Sequence, residues 1–157
     1  MNTVTCYKLY PRGREREEYL QINMDSFFPC TQRVFKSFWK IVNDTYEYFD
    51  TKNGLLQIWQ FQNYLKVYFT DRIADLKHEQ AENKALYQKY SDTASYARDR
   101  VKDKTFPNGL PVKASELERF KAEYKEYTKK TSEIFKKYKQ NQRDIESFQK
   151  YINALGG

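Results

Sequence analysis

The last third of this chain carries a long heptad repeat, which restricts the fold more than any other feature of the sequence. Large apolar side chains recur there in alternating steps of three and four residues, a spacing typical of a helix that packs lengthwise on another. The repeat positions are Leu117, Phe120, Tyr124, Tyr127, Thr131, Ile134, Tyr138, Asn141, Ile145, Phe148, Ile152 and Leu155. Thr131 and Asn141 alone lack a large apolar body. The repeat predicts a long amphipathic helix buried against a second helix.

A second long helix is predicted directly before this repeat. The segment from Leu55 to about Lys104 contains neither proline nor glycine, and from Phe69 onward its apolar residues narrow to a heptad seam. Residues 105–114, TFPNGLPVKA, have the composition of a turn, and Ser115 is suited to cap the helix that follows. Because the two seams flank this turn, residues 69–157 are predicted to form an antiparallel coiled-coil hairpin.

The first 68 residues are predicted to form a compact head. Segments 3–10 and 19–24 are rich in β-branched and aromatic residues, which predicts a short β-hairpin, with helix as an alternative for residues 14–22. Residues 31–50 carry a broad apolar face that predicts a helix ended by Gly54. The predicted fold is therefore mainly α, with a compact head and a long two-helix coiled-coil stalk.

Composition narrows the class of protein and of partner. Of the 157 residues 17% are aromatic, which argues against a disordered chain, and the net charge of +7 favours acidic partners. The N-terminus lacks the apolar core of a signal peptide, and no apolar run is long enough to span a membrane. Cys6 and Cys30 have no disulfide framework around them. We expect a cytoplasmic protein that does not bind membranes.

The sequence contains no pattern of residues that points to catalysis. His78 is its single histidine, and its glycines form no phosphate-binding loop. Asp75 and His78 have the spacing of one arm of a di-iron site in a helical bundle, but a second such arm is lacking. We therefore expect a protein that is not an enzyme, with no catalytic residue, metal ion or cofactor.

Three basic clusters are candidate macromolecule-binding sites. They comprise Arg12, Arg14 and Arg16 in the predicted hairpin; Arg98, Arg100, Lys102 and Lys104 near the turn; and Lys129, Lys130, Lys136, Lys137 and Lys139 in the last helix. The third cluster is the most strongly positive stretch of the chain. A lysine stripe of this kind suits contacts with phosphates that do not depend on base sequence. The alternative interpretation is the solvated flank of a coiled coil.

Three functional hypotheses follow from charge and shape. The first is a non-catalytic binding protein that docks on a protein partner, by analogy with small basic phage and mobile-element proteins that inhibit or adapt host nucleic-acid machines such as RNA-guided nucleases. The second is direct, sequence-independent binding of DNA or RNA through the lysine stripe. The third is a structural coiled-coil protein that forms homo-oligomers.

Overall fold

A computed structural model describes residues 3–8, 18–24 and 30–156 of the chain. Four strands and three helices are assigned within these ranges. In chain order they are β1 (Thr3–Tyr7), β2 (Glu18–Asn23), α1 (Gln32–Thr45), β3 (Tyr48–Thr51), β4 (Gly54–Gln57), α2 (Ile58–Asp103) and α3 (Ala114–Gly156). The protein is mainly helical, as predicted, with a small antiparallel sheet in addition.

The contacts divide the chain into two compact units. Unit 1 comprises Met1–Asp75 and Asp144–Gly157, and unit 2 comprises Leu76–Arg143. Unit 1 thus contains the four strands, α1, the beginning of α2 and the end of α3. Unit 2 contains the rest of the two long helices and the loop that joins them. The domain boundary predicted after residue 68 stays a prediction.

The sheet of unit 1 has the strand order β2-β1-β3-β4, and all neighbouring strands are antiparallel. The predicted hairpin of residues 3–10 and 19–24 corresponds to β1 and β2, with a bulge between Cys6 and Tyr7. Val4 and Cys6 on β1 are fully buried, whereas Thr5 and Tyr7 are half-buried. This alternation places one face of β1 in the core, because successive side chains of a strand point to opposite sides.

Aromatic rings from four elements form the core of unit 1. Phe49 on β3 stacks on Phe61 of α2 with ring centroids 4.1 Å apart, which joins the sheet to the helix. Phe35 of α1 stacks on Tyr151 of α3 at 4.4 Å and meets Phe69 of α2 edge-on at 5.6 Å. All five rings are fully buried. Burial of this size supplies most of the free energy that holds such small elements together.

Residues 46–57 differ from the sequence prediction. The predicted helix over residues 31–50 is wrong in its last part, because α1 ends at Thr45 and Tyr48–Thr51 is strand β3. Gly54 does not end a helix. With φ +98 it follows the two-residue turn between β3 and β4, where a positive φ favours glycine. The long helix correspondingly begins at Ile58 instead of Leu55.

Unit 2 is a hairpin of two helices in contact. Along the chain, Asn83 pairs with Asn141, Tyr90 meets Tyr127, and Tyr96 meets Phe120. Partners later in α2 therefore lie earlier in α3, which is the antiparallel order that the two flanking seams predict. The finer prediction, coiled-coil packing of knobs into holes, stays a prediction.

The turn predicted at residues 105–114 joins α2 to α3 and has its own hydrogen bonds. Lys104 adopts a left-handed conformation, φ +58, directly after the end of α2, a position that often holds glycine. The Phe106 and Val112 amides donate to the Leu110 and Lys104 carbonyls at 2.8 and 2.9 Å. α3 begins at Ala114, one residue before the cap predicted at Ser115. In the described ranges, none of the helices combines the length and hydropathy needed to cross a membrane.

Candidate macromolecule-binding surface

The net positive charge of this chain lies entirely in unit 2. That unit has 17 basic and 10 acidic residues, whereas unit 1 has 11 of each. The formal charge is therefore +7 on unit 2 and zero on unit 1. Charge concentrated in this way attracts polyanions to one part of a protein and leaves the other part electrostatically neutral. Unit 2 is accordingly the part of the molecule in which a binding surface is to be sought.

Four of the five lysines predicted as a binding cluster on α3 are exposed to solvent. Lys129, Lys136, Lys137 and Lys139 are exposed, and within the described residues none of them forms an ion pair. The Lys139 ammonium lies 4.6 Å from the centroid of the Phe135 ring. The structure thus places these four lysines on the surface of one helix, where they can contact a partner.

Lys130 differs from its neighbours because it already has partners. Its ammonium lies 3.1 Å from a Glu126 carboxylate oxygen and 4.8 Å from the centroid of the Tyr127 ring. The hydrogen bond and the charge of Glu126 raise the pKa of Lys130 above its ordinary value. Its charge is largely satisfied within the helix, so Lys130 is less suited to bind a partner than the exposed lysines.

Arg100, predicted as a surface cation, is buried. Its Nη1 donates to the carbonyl of Thr105, and its guanidinium carbon lies 5.1 Å from the centroid of the Tyr96 ring. Asp103 is 3.9 Å from Nη2, and Nε has no hydrogen-bond partner among the described residues. Arg100 therefore contacts the loop after α2, and its side chain lies beneath the surface.

The other cations near this loop are exposed. Arg98 lies 3.3 Å from a carboxylate oxygen of its neighbour Asp99, whereas Lys102 and Lys104 form no ion pair with described residues. Leu110 in the loop is 60% exposed. The predicted basic cluster is thus reduced to three exposed cations around the loop. The predicted cluster of Arg12, Arg14 and Arg16 lies outside the described residues.

The structure also shows two cations that the sequence interpretation missed. Lys125 and Arg143 are exposed and lie on the same face of α3 as Lys129 and Lys136. Their spacing from buried residues could have revealed them. Nine residues is two and a half helical turns, so a residue nine positions from a buried one points to the opposite side. Lys125 and Arg143 each lie nine residues from Ile134, which is buried at 8% exposure.

Lys125, Lys129, Lys136 and Arg143 are called the outer row below. Within the described residues, no member of the outer row forms an ion pair. Three carboxylates of α3 pair with other cations instead, in the pairs Glu118–Lys121, Glu123–Arg119 and Glu126–Lys130. Glu133 lies beside the row without an ion pair there. The outer row is therefore a line of unpaired positive charge.

Among the described residues, the polar groups outside the basic surface do not assemble into a recognisable reactive site. His78 Nε2 lies 3.1 Å from Glu82, and both side chains are exposed. Residues 3–8, 18–24 and 30–156 contain no group of three side chains placed to hold a metal ion. Burial raises the pKa of the Cys6 thiol to about 12, which keeps it in the unreactive protonated form at neutral pH. A cavity of about 530 Å³ in unit 1 is lined by Asn, Gln and Tyr side chains together with Lys52, Asp71, Leu56 and Val67.

Comparisons with protein-family models, with curated proteins and with solved structures found no match to this chain.

Proposed function

We propose that this chain is a non-catalytic binding protein that docks on a negatively charged macromolecular partner through unit 2. The observation that carries the proposal is the distribution of charge, because the whole net charge of +7 lies on residues 76–143. The partner class that fits best is a nucleic-acid-handling complex, since such complexes present both phosphates and acidic protein surfaces. Inhibiting or adapting such a machine is the role that we infer.

The organisation of unit 2 supports this role. Asn83 and Asn141 pair inside the hairpin, and the rings of Tyr90 and Tyr127 meet there, so these residues are occupied by the fold. The exposed lysines of α3 are not needed for that packing. A helical scaffold that displays cations outside ion pairs binds an anionic surface with little loss of conformational freedom.

Recovery of bound macromolecules from an extract of the source cell tests the proposal. The unit 2 variant replaces Lys129, Lys136, Lys137 and Lys139 with glutamine. The unit 1 control replaces Arg33, Lys36, Lys40 and Lys52, which are likewise exposed. Both variants keep a formal charge of +3, so overall charge is matched. We expect the unit 2 variant to lose the bound material and the unit 1 control to retain it.

Two readouts make the result interpretable. Far-ultraviolet circular dichroism verifies that both variants keep their helices, and the recovered material is separated into protein and nucleic acid. Equal retention of the partner by both variants, or equal loss, would contradict docking through unit 2. Loss confined to the unit 1 control would assign the interaction to the neutral unit.

A further inference from the structure

We infer that the outer row binds the phosphate backbone of duplex nucleic acid without reading its sequence. This inference rests on the proposed function, because it identifies the anionic partner that unit 2 contacts. The outer row consists of Lys125, Lys129, Lys136 and Arg143, all of which are exposed on α3. It adds Lys125 and Arg143 to the predicted stripe. It leaves out Lys130, whose charge is paired with Glu126, and Lys137 and Lys139, which lie to either side of the row.

The first argument is the linear arrangement of the four charges. Lys129, Lys136 and Arg143 are seven residues apart, and Lys125 is four residues before Lys129. At 1.5 Å per residue, the row extends over about 27 Å of one helix face. That length corresponds to the rise of about eight base pairs in a B-form duplex. A line of charges of this length matches a line of phosphates better than it matches a single acidic side chain.

The second argument is what the outer row lacks. The exposed residues that lie between its members on the same face are Ser132 and Gln140, and Glu133 and Lys139 lie at its two edges. A protein–protein interface of useful affinity needs a desolvated core with large apolar or aromatic side chains. Phosphate contacts need only positive charge and hydrogen-bond donors. The composition of the row therefore favours a nucleic-acid backbone over an acidic protein.

The third argument favours duplex over single-stranded nucleic acid as the partner of the outer row. Proteins that hold single strands place aromatic side chains where successive bases can stack. No member of the outer row is aromatic, and the exposed rings of Tyr124 and Phe135 lie about a quarter turn round α3 from the row. The row offers charge without stacking platforms, so the paired backbone of a duplex is the partner that we infer.

Binding of purified, random-sequence nucleic acid tests the inference, with fluorescence anisotropy as the readout. The probes are labelled duplex DNA, duplex RNA and single-stranded DNA of equal length. Four phosphate contacts give a slope of about −3.6 for log affinity against log salt, so the row accounts for an affinity loss of about 150-fold between 50 and 200 mM salt. The duplex that binds more tightly identifies the source of the phosphates.

The four-residue row variant replaces Lys125, Lys129, Lys136 and Arg143 with glutamine. Its matched control, the flank variant, replaces Lys84, Arg119, Lys121 and Lys130, also three lysines and one arginine of unit 2. Three of these four form ion pairs with carboxylates of α3. We expect the salt dependence of the row variant to be shallower by about 3.6 units of slope, and that of the flank variant by less than one.

Several outcomes would overturn the inference. They are the absence of duplex binding at 50 mM salt, equal loss in the two variants, and tighter binding of the single strand than of either duplex. If purified duplex does not bind but an acidic protein is recovered through unit 2, the inference fails and the proposed function stands. If neither duplex binding nor protein binding depends on unit 2, the inference and the proposed function both fail. Circular dichroism establishes that the variants are folded.

Discussion

Asn83 and Asn141 show how single polar side chains are accommodated inside the helical hairpin of unit 2. Asn83 Nδ2 donates to Asn141 Oδ1 at 2.7 Å, and the two residues are 7% and 5% exposed. Each amide satisfies the other in a place where water has little access. Such a pair contributes little net stability but favours the alignment in which the two amides meet.

The pair leads to a prediction at this scale. Replacing Asn141 alone with leucine leaves the buried Asn83 amide without its partner, which should lower the free energy of unfolding by about 1–3 kcal/mol. Replacing both residues with leucine removes the unpaired amide, and we expect the double variant to be at least as stable as the unchanged protein. Urea unfolding of the two single variants and the double variant measures the coupling.

The control for this cycle is Gln80 and Gln142, which form a similar side-chain hydrogen bond at 2.8 Å in a more exposed place. Substitution of either glutamine with leucine should change stability by less than the Asn141 substitution. The prediction would be contradicted if the double asparagine variant lost as much free energy of unfolding as the two single variants together.

The residue scale is also where the sequence was least informative. Asn83 and Asn141 were recognisable as polar positions in the two seams, but their partnership depends on the register of the hairpin. Arg100 looked like a surface cation because the sequence does not show that the Thr105 carbonyl accepts its hydrogen bond. Lys125 and Arg143 were recognisable only by their distance from buried Ile134, nine positions away.

Among the elements, the long helices were the most predictable and the β3–β4 hairpin the least. The apolar repeats of α2 and α3 continue over many turns, so local exceptions such as Thr131 do not obscure the period. The hairpin has four residues per strand, too few to establish a period of two. Phe49 fits a helical pattern and a strand pattern equally well, and its stacking on Phe61 belongs to tertiary structure.

Gly54 provides a prediction at the scale of the element. Its φ of +98 is costly for a residue with a Cβ atom, so Gly54→Ala should lower the free energy of unfolding by about 1–2 kcal/mol. Thermal and urea unfolding measure the effect.

Gly156 is the matched control for this substitution. It lies in the last turn of α3, and an added Cβ would make an ordinary contact of 3.5 Å with the Lys66 side chain. Gly156→Ala should therefore leave stability unchanged or raise it slightly. A smaller loss for Gly54→Ala than for Gly156→Ala would show that the hairpin does not require glycine.

The tryptophans give a spectroscopic probe of unit 1. Both tryptophans, Trp39 and Trp59, lie in unit 1, so their fluorescence reports on that unit. Tyr151 lies at the centre of unit 1, stacked on Phe35, and its hydroxyl donates to the carbonyl of Cys30 at 2.9 Å. Burial also raises the pKa of this hydroxyl above its ordinary value, which keeps it protonated and able to donate.

The prediction for the whole molecule follows from Tyr151. Tyr151→Ala should remove about 3–5 kcal/mol from unit 1, by analogy with other buried aromatic residues, and lower the midpoint of the tryptophan fluorescence transition. Tyr124→Ala in unit 2 is the control, because Tyr124 is 41% exposed and should cost much less. An unchanged fluorescence midpoint in the Tyr151 variant would contradict the role of this residue in unit 1.

The division of unit 1 into two chain segments affects how the protein is made. Asp75 and Asp144 belong to the same unit, but the ribosome must translate the whole of residues 76–143 between them. During that interval the nascent chain carries Phe35 and Phe69 without the tyrosine ring that covers them. The two helices of unit 2 can pair before Tyr151 has emerged from the ribosome. Chaperone dependence during synthesis should therefore arise in the electrically neutral unit, and not in the one that carries the binding surface.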